Sequence, residues 1–356
     1  MFTKLPAAGR PRPKRAMANI SGLPLVKAIA REPGNVEVFA LDGGRLRIVL
    51  RPHNASLFIP RHSWDTELPL GIVELMAARF EFPWVCDHLA RLEDPAYVAE
   101  TLRRQLFAYF SPRELTGKRL LDFGCGAGAS TVIMAGLLPE TEIAGAELDP
   151  VRVDIARRIA AHKGLTNVRF YTSPSPDSLP DEIGSVDFIM LSAVYEHLLP
   201  GERRILMPVL WSRLRSGGAL LINQTPFRWA PYEGHTTGLW CINYLPDSLA
   251  GFAARHFSRL SPEANRRLDW NGLLRHGLRG GTERQILRNL RRGGGPRGVI
   301  LQPTQGNLRD RAAYWMSATS PRHAALKRLI CGAFRLCDRA LGIVPSTNID
   351  VVIRKP

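Results

Sequence analysis

Residues 120–130 read Leu-Leu-Asp-Phe-Gly-Cys-Gly-Ala-Gly-Ala-Ser, and no other run constrains the fold as much. The compact apolar stretch RLLDFG (119–124) has strand character, and ASTVIMAGLL (129–138) has helical spacing. Between them, glycines at 124, 126 and 128 let the backbone turn tightly and approach a ligand beside a helix N-terminus with free amides. About 20 residues on, Glu147 stands at the tip of a second strand, EIAGAEL (142–148), where a carboxylate can accept from both hydroxyls of a ribose. The order of strand, glycine turn, helix, strand and acid predicts a ligand that contains a nucleoside. Gly124, Gly126 and Ala129 also satisfy the dinucleotide pattern G-x-G-x-x-A, which keeps an NAD-binding Rossmann enzyme as an alternative. Asp122, two positions before the first glycine, argues against it: a carboxylate there suits a positively charged ligand and repels a pyrophosphate.

The alternation continues beyond this pair. Asp149 and Pro150 open a helix that ends before Gly164. Strands are expected at 167–173, 186–191 and 219–224, with a helix at 201–216 stopping at Gly217–Gly218. Strands this apolar, separated by helices, imply a doubly wound, mostly parallel α/β sheet covered on both faces. Residues 1–18, rich in Pro, Gly and cations, read as a flexible basic tail. Residues 19–117 form a cap region, with alternating runs at 35–60 and helical spacing at 70–110. The core is 118–226, a largely helical insertion occupies 227–345, and a final strand lies in 346–356.

Through these segments, residues 118–226 resemble the class I S-adenosylmethionine-dependent methyltransferases. LLDFGCGAGAS is similar to that family's first motif and IAGAELDP to its second. VDFIMLSAVYEHL is similar to the fourth-strand motif, and LWSRLRSGGALLINQTP to the helix, paired glycines and fifth strand that follow. The resemblance implies a Rossmann-like methyltransferase sheet and S-adenosylmethionine bound by Asp122, Gly124, Gly126, Gly128 and Glu147, with Ser192 at the end of strand four. An acidic residue that the family often carries after strand three is absent from Tyr-Thr-Ser-Pro-Ser-Pro-Asp (171–177), and Ser173 is the substitute for an adenine contact.

Methyl transfer from a sulfonium is an in-line displacement governed by alignment and water exclusion, but an alcohol acceptor also needs a base. Neither an Asn/Asp-Pro-Pro-aromatic tetrapeptide nor a Pro-Cys nucleophile follows strand four. Cys125 reads as a small residue filling a tight turn. His197 is either a base or acceptor-orienting group, or a structural histidine bonded to a carbonyl. Glu233 and His235, flanked by Trp229, Tyr232 and Trp240, form a candidate acceptor pocket, and the sequence does not choose between the two histidines. No Cys/His spacing predicts a metal site.

Charge separates the regions. The formal net charge is +16, and 41 of the 48 basic residues are Arg. Residues 227–356 hold 21 Lys+Arg against 8 Asp+Glu, whereas 118–226 hold 11 against 12. The expected acceptor is a small, sugar-containing or lipid-linked molecule methylated on oxygen, with the basic insertion docking on anionic lipid. The helix at 322–344 is expected to pack its apolar face on the core. An RNA acceptor and a catalytically silent donor-binding module are the alternatives. Five scattered cysteines and no run of ~18 apolar residues point to the cytoplasm, at most peripheral on a membrane.

Overall fold

The computed structural model describes residue 20 and residues 22–356, apart from 56, 307, 320 and 321. The tail expected at 1–18 lies outside the described residues. The described chain divides into two compact units, one built from 105–124 and 173–356, the other from the segments up to Arg104 and from Cys125 to Thr172. Strands are numbered along the chain.

In the second of these units, β1 (Leu25–Arg31), β2 (Gly34–Ala40), β3 (Leu46–Pro52) and β4 (Ser63–Thr66) form an antiparallel sheet in sequence order. Val36, Val38 and Ile48 alternate inward and are fully buried, as a one-sided antiparallel sheet requires. The helices Leu70–Arg79 and Val85–Glu93 add Val73, Met76 and Leu89 to that core. The same core takes Val132, Val153, Ile155, Ile159 and Phe170 from the segment 125–172. There β6 (Glu142–Glu147) pairs in parallel with β7 (Val168–Thr172). Asp149 caps the helix Pro150–His162 by accepting from Val151 N at 2.9 Å, and Gly164 beyond its end has φ +65°.

The other unit carries β5 (Arg119–Phe123), β8 (Val186–Ser192) and β9 (Leu214–Pro226), all in parallel. Leu120, Leu121, Ile189, Met190, Leu220 and Ile222 are completely buried, the signature of strands covered on both faces. The chain's last strand, β13 (Asn348–Arg354), runs antiparallel to β9 and is bordered by β12 (Val299–Ile300). The fold is thus mixed α/β with a largely parallel sheet, as expected.

Two expectations need correction. The helix predicted at 201–216 spans Pro200–Arg213, and β9 starts at Leu214. Lys355 explains the early stop, because its ammonium donates to the carbonyls of Trp211 and Leu214, and Gly217 N pairs with Lys355 O. The predicted helix at 322–344 is Ala324–Leu341, but of its expected apolar face Leu326, Leu329 and Leu341 are exposed, while Ile330, Phe334 and Cys337 are half-buried. Only its Cys331 is fully inside, and Phe334 stacks edge-on against Trp315 at 4.9 Å. No described helix is long and apolar enough to cross a membrane.

Candidate active site

Gly124 directly follows β5 at φ +71°, in a region closed to most side chains, and a Cβ there would meet Val194 Cγ2 at 2.6 Å. Asp122, one residue inside β5, is 1% exposed and sits opposite Met190 of β8. Ser192 ends β8 half-buried. Ser173 is buried, and its hydroxyl has no hydrogen-bond partner among the described residues.

The rest of the turn belongs to the other unit. Cys125 N donates to Ala146 O at 3.1 Å and Gly126 N to Glu147 Oε2 at 2.9 Å. The other oxygen of Glu147 accepts from Asp149 N at 3.2 Å. Each carboxylate oxygen keeps further acceptor capacity, which a ribose hydroxyl can use. Gly126 has φ +58° and nothing within 4 Å of where a Cβ would stand, so its backbone faces open space that a side chain would fill. Gly128 caps the helix Ala129–Leu137 in a left-handed conformation. Cys125 is buried, in keeping with a turn-filling residue. An open glycine turn beside a helix N-terminus and a half-buried acid at a strand tip are features that suit a nucleoside.

A second cluster lies past the carboxyl end of β8. Ala193 has φ +53°, and the single turn Tyr195–His197 follows. Glu196 is fully buried, and its Oε2 accepts from Thr225 Oγ1 at 3.0 Å. His197 Nδ1 lies 2.6 Å from Arg275 O, and its Nε2 lies 3.7 Å from Glu196 Oε1. Burial first, then the neighbouring His235, pull His197 down to about 3, so the ring is neutral near pH 7. Because a carbonyl can only accept, the proton sits on Nδ1 and Nε2 carries the lone pair.

His235 repeats the arrangement. Its Nδ1 lies 3.0 Å from His276 O, and its ring centroid is 5.5 Å from that of His197. The turn holding it joins β10 (Tyr232–Glu233) to β11 (Leu239–Trp240). Glu233 organises that turn: its carboxylate accepts from the amides of His235, Thr236 and Thr237 and from Thr237 Oγ1, at 2.6–2.8 Å. That structural duty was not separable from catalysis in the sequence.

The flanking aromatics do not enclose a pocket. Trp229 and Tyr244 stack at 6.2 Å, Tyr232 and Trp240 pair at 5.1 Å, and all four are exposed. A cleft of about 510 Å³ does open beside Trp229, walled by Trp270, Arg228, Arg279, Arg284 and Arg288 among others. Arg279 is held by the carbonyls of Ile242, Asn243 and Leu245 and by Asp247, while Arg284 and Arg288 lie exposed one turn apart on the helix Glu283–Arg291. Burial and the adjacent Arg279 lower Arg228 to about 10. Sequence reasoning missed this cleft and Glu196; the adjacent Glu-His pair at a strand end was the available signal.

Residues 120–218 match the family model of a methyltransferase domain. A tRNA (guanine-N(7)-)-methyltransferase of Thermus thermophilus is 30% identical over 141 residues, 36% of this chain and 45% of that protein. A ribosomal protein L11 methyltransferase of Azotobacter vinelandii is 34% identical over 111 residues, 31% of this chain and 35% of that protein. The chain thus spans less than half the length of these curated relatives. Among solved structures, PKMT2 from Rickettsia typhi in complex with AdoHcy has a TM-score of 0.40 at 15% identity, covering 75% of this chain and 53% of that one. A SAM-dependent methyltransferase from Aquifex aeolicus has a TM-score of 0.32 at 18% identity, covering 46% and 78%. Residues 120–218 are a methyltransferase domain.

Proposed function

We propose that the chain transfers the methyl group of S-adenosylmethionine to an oxygen of a small, sugar-containing or lipid-linked acceptor. The donor, when bound, supplies an electrophilic methyl on a sulfonium, and the protein's work is alignment and exclusion of water. Glu147 accepts from the ribose hydroxyls, the open backbone at Gly126 admits the ligand, and Gly124 and Gly128 shape the turn. Asp122 supplies negative charge, Ser173 offers its buried hydroxyl to the adenine, and Ser192 lines the end of β8.

The observation that carries the oxygen acceptor is the pair of histidines, each with Nδ1 anchored on a backbone carbonyl, which puts the ring's lone pair on Nε2. An amine or thiolate acceptor has less need of such a base, whereas a hydroxyl must lose its proton as the methyl arrives. His235, on the half-buried turn, is the base; His197, only 11% exposed, packs its ring beside it at 5.5 Å between centroids. The arginine-walled cleft suits an acceptor that bears a phosphate or another acidic group.

Tritium transfer from labelled donor into fractionated cell extract tests the reading. Label in the glycan or lipid fraction is expected. Label in RNA replaces the acceptor with nucleic acid, and no label in any fraction favours a silent donor-binding module. Calorimetric titration with the donor and with NAD decides the nucleoside: affinity for NAD and none for the donor ends the proposal.

A further inference from the structure

We propose that Glu196, His197 and His235 form a binding site for one divalent transition-metal ion, of which Zn²⁺ is the probe. One ligand atom from each of the three lies within 4.8 Å of the others. Glu196 and His197 come from the turn after β8, and His235 comes from the β10–β11 hairpin, 38 residues further along the chain. The three meet because Gly277, at φ +93°, packs against two of them: a Cβ there would stand 2.6 Å from the His235 ring and 3.4 Å from Glu196 Cγ.

The surroundings have the form of a ligand set. Metal-binding imidazoles donate their other N–H to a carbonyl or carboxylate, which fixes the tautomer and aims the free nitrogen. Both rings here do so, on the adjacent carbonyls of Arg275 and His276. Thr236 Oγ1 also donates to His276 O, and Thr225 Oγ1 fixes the Glu196 carboxylate, so every ligand is oriented by a second partner. A fully buried carboxylate beside two imidazoles also favours a bound positive charge. Arg203 is a cation bonded to this residue, and its guanidinium donates to the backbone oxygen of Glu196.

Two imidazoles and one carboxylate suit Zn²⁺ and its first-row neighbours, and Mg²⁺ poorly. Three protein ligands leave positions open for water or an oxygen from outside. With a metal bound, both Nε2 atoms are ligands, and the base role proposed above belongs to the metal-free form. The site does not depend on which atom accepts the methyl group.

The test reads binding, not activity. Full-length protein stripped with a chelator is titrated with Zn²⁺ against a chromophoric competitor, and Co²⁺ loading is followed by visible absorption. The expected result is one Zn²⁺ per chain, a rise in Tm on loading, and Co²⁺ bands of nitrogen and oxygen ligation. His235→Asn and His197→Gln each lower the affinity at least about tenfold, and His162→Asn, which is none of the three ligands, leaves it unchanged. Glu196→Gln is made alongside, but the half-buried His235 variant decides the case if the buried one does not fold. No stoichiometric uptake, equal affinity in the His235 variant, or thiolate charge-transfer bands pointing to the exposed Cys241 overturns the site. Failure here leaves the methyltransferase reading standing, and a wrong acceptor leaves the metal titration unaffected.

Discussion

Gly126 donates its amide to Glu147 Oε2 at 2.9 Å, which ties the middle of the glycine turn to the tip of β6. The bond orients the carboxylate and removes the need to organise it on ligand binding. Glu147→Ala should weaken donor binding by about 1–3 kcal/mol, since ribose hydroxyls lose their acceptor. Glu147→Gln should lose less, because it keeps one acceptor oxygen for the turn. Calorimetry reads both, and unchanged affinity in the alanine variant would remove Glu147 from the donor site.

The first glycine is a steric requirement as well as a conformational one. Gly124→Ala places a methyl against Val194 at a positive φ and should cost about 1–3 kcal/mol of stability. In a Val194→Ala background the clash is relieved and only the backbone strain persists. Denaturant midpoints for the two singles and the double measure the coupling. Strict additivity would mean the two side chains do not meet.

His235→Ala should lower kcat about 100-fold with donor affinity kept, as expected for loss of a proton acceptor. His197→Ala should also lower kcat. If both variants keep full activity, the acceptor is an amine or thiol and histidine takes no part in the chemistry.

Arg284 and Arg288 should matter for the acceptor alone. Replacing both by serine is expected to raise KM for an acidic acceptor about tenfold for each arginine removed, while kcat and donor affinity hold. An equal KM would separate the cleft from acceptor binding.

Arg311 is buried between Glu283 and Asp338, with an ion pair to each. Arg311→Met leaves Glu283 as an uncompensated buried charge and should cost about 3–5 kcal/mol. Arg311→Met with Glu283→Met should recover much of that loss. Thermal melts of the two variants check the order, and a single variant as stable as the parent would mean the pair contributes little.

Local sequence dictates the parallel strands, the glycine turn and Glu147, since each depends on residues within a few positions of one another. The apolar runs from Arg119 to Asn223 specify the strands, and Asp149, Pro150 and Gly164 mark one helix at both ends. Local patterning also places β2 and β3, whose alternation falls in 35–60, but not β1 and β4, which lie outside those runs. It does not reveal that Glu233 serves the turn at 235–237, because a carboxylate that accepts amides three residues on has the same letter as a catalytic one. Nor does it bring His235 to Glu196 and His197. That meeting depends on Gly277, on the carbonyls of Arg275 and His276, and on the packing of a hairpin distant in sequence. The apolar stripe of Ala324–Leu341 predicts a helix, which forms, and a packed face, which forms only in part, since periodicity reports amphipathicity and says nothing of what covers the face. Contacts between residues near in sequence follow from spacing, whereas those that build the His–His–Glu cluster exist only once tertiary packing has closed the intervening chain.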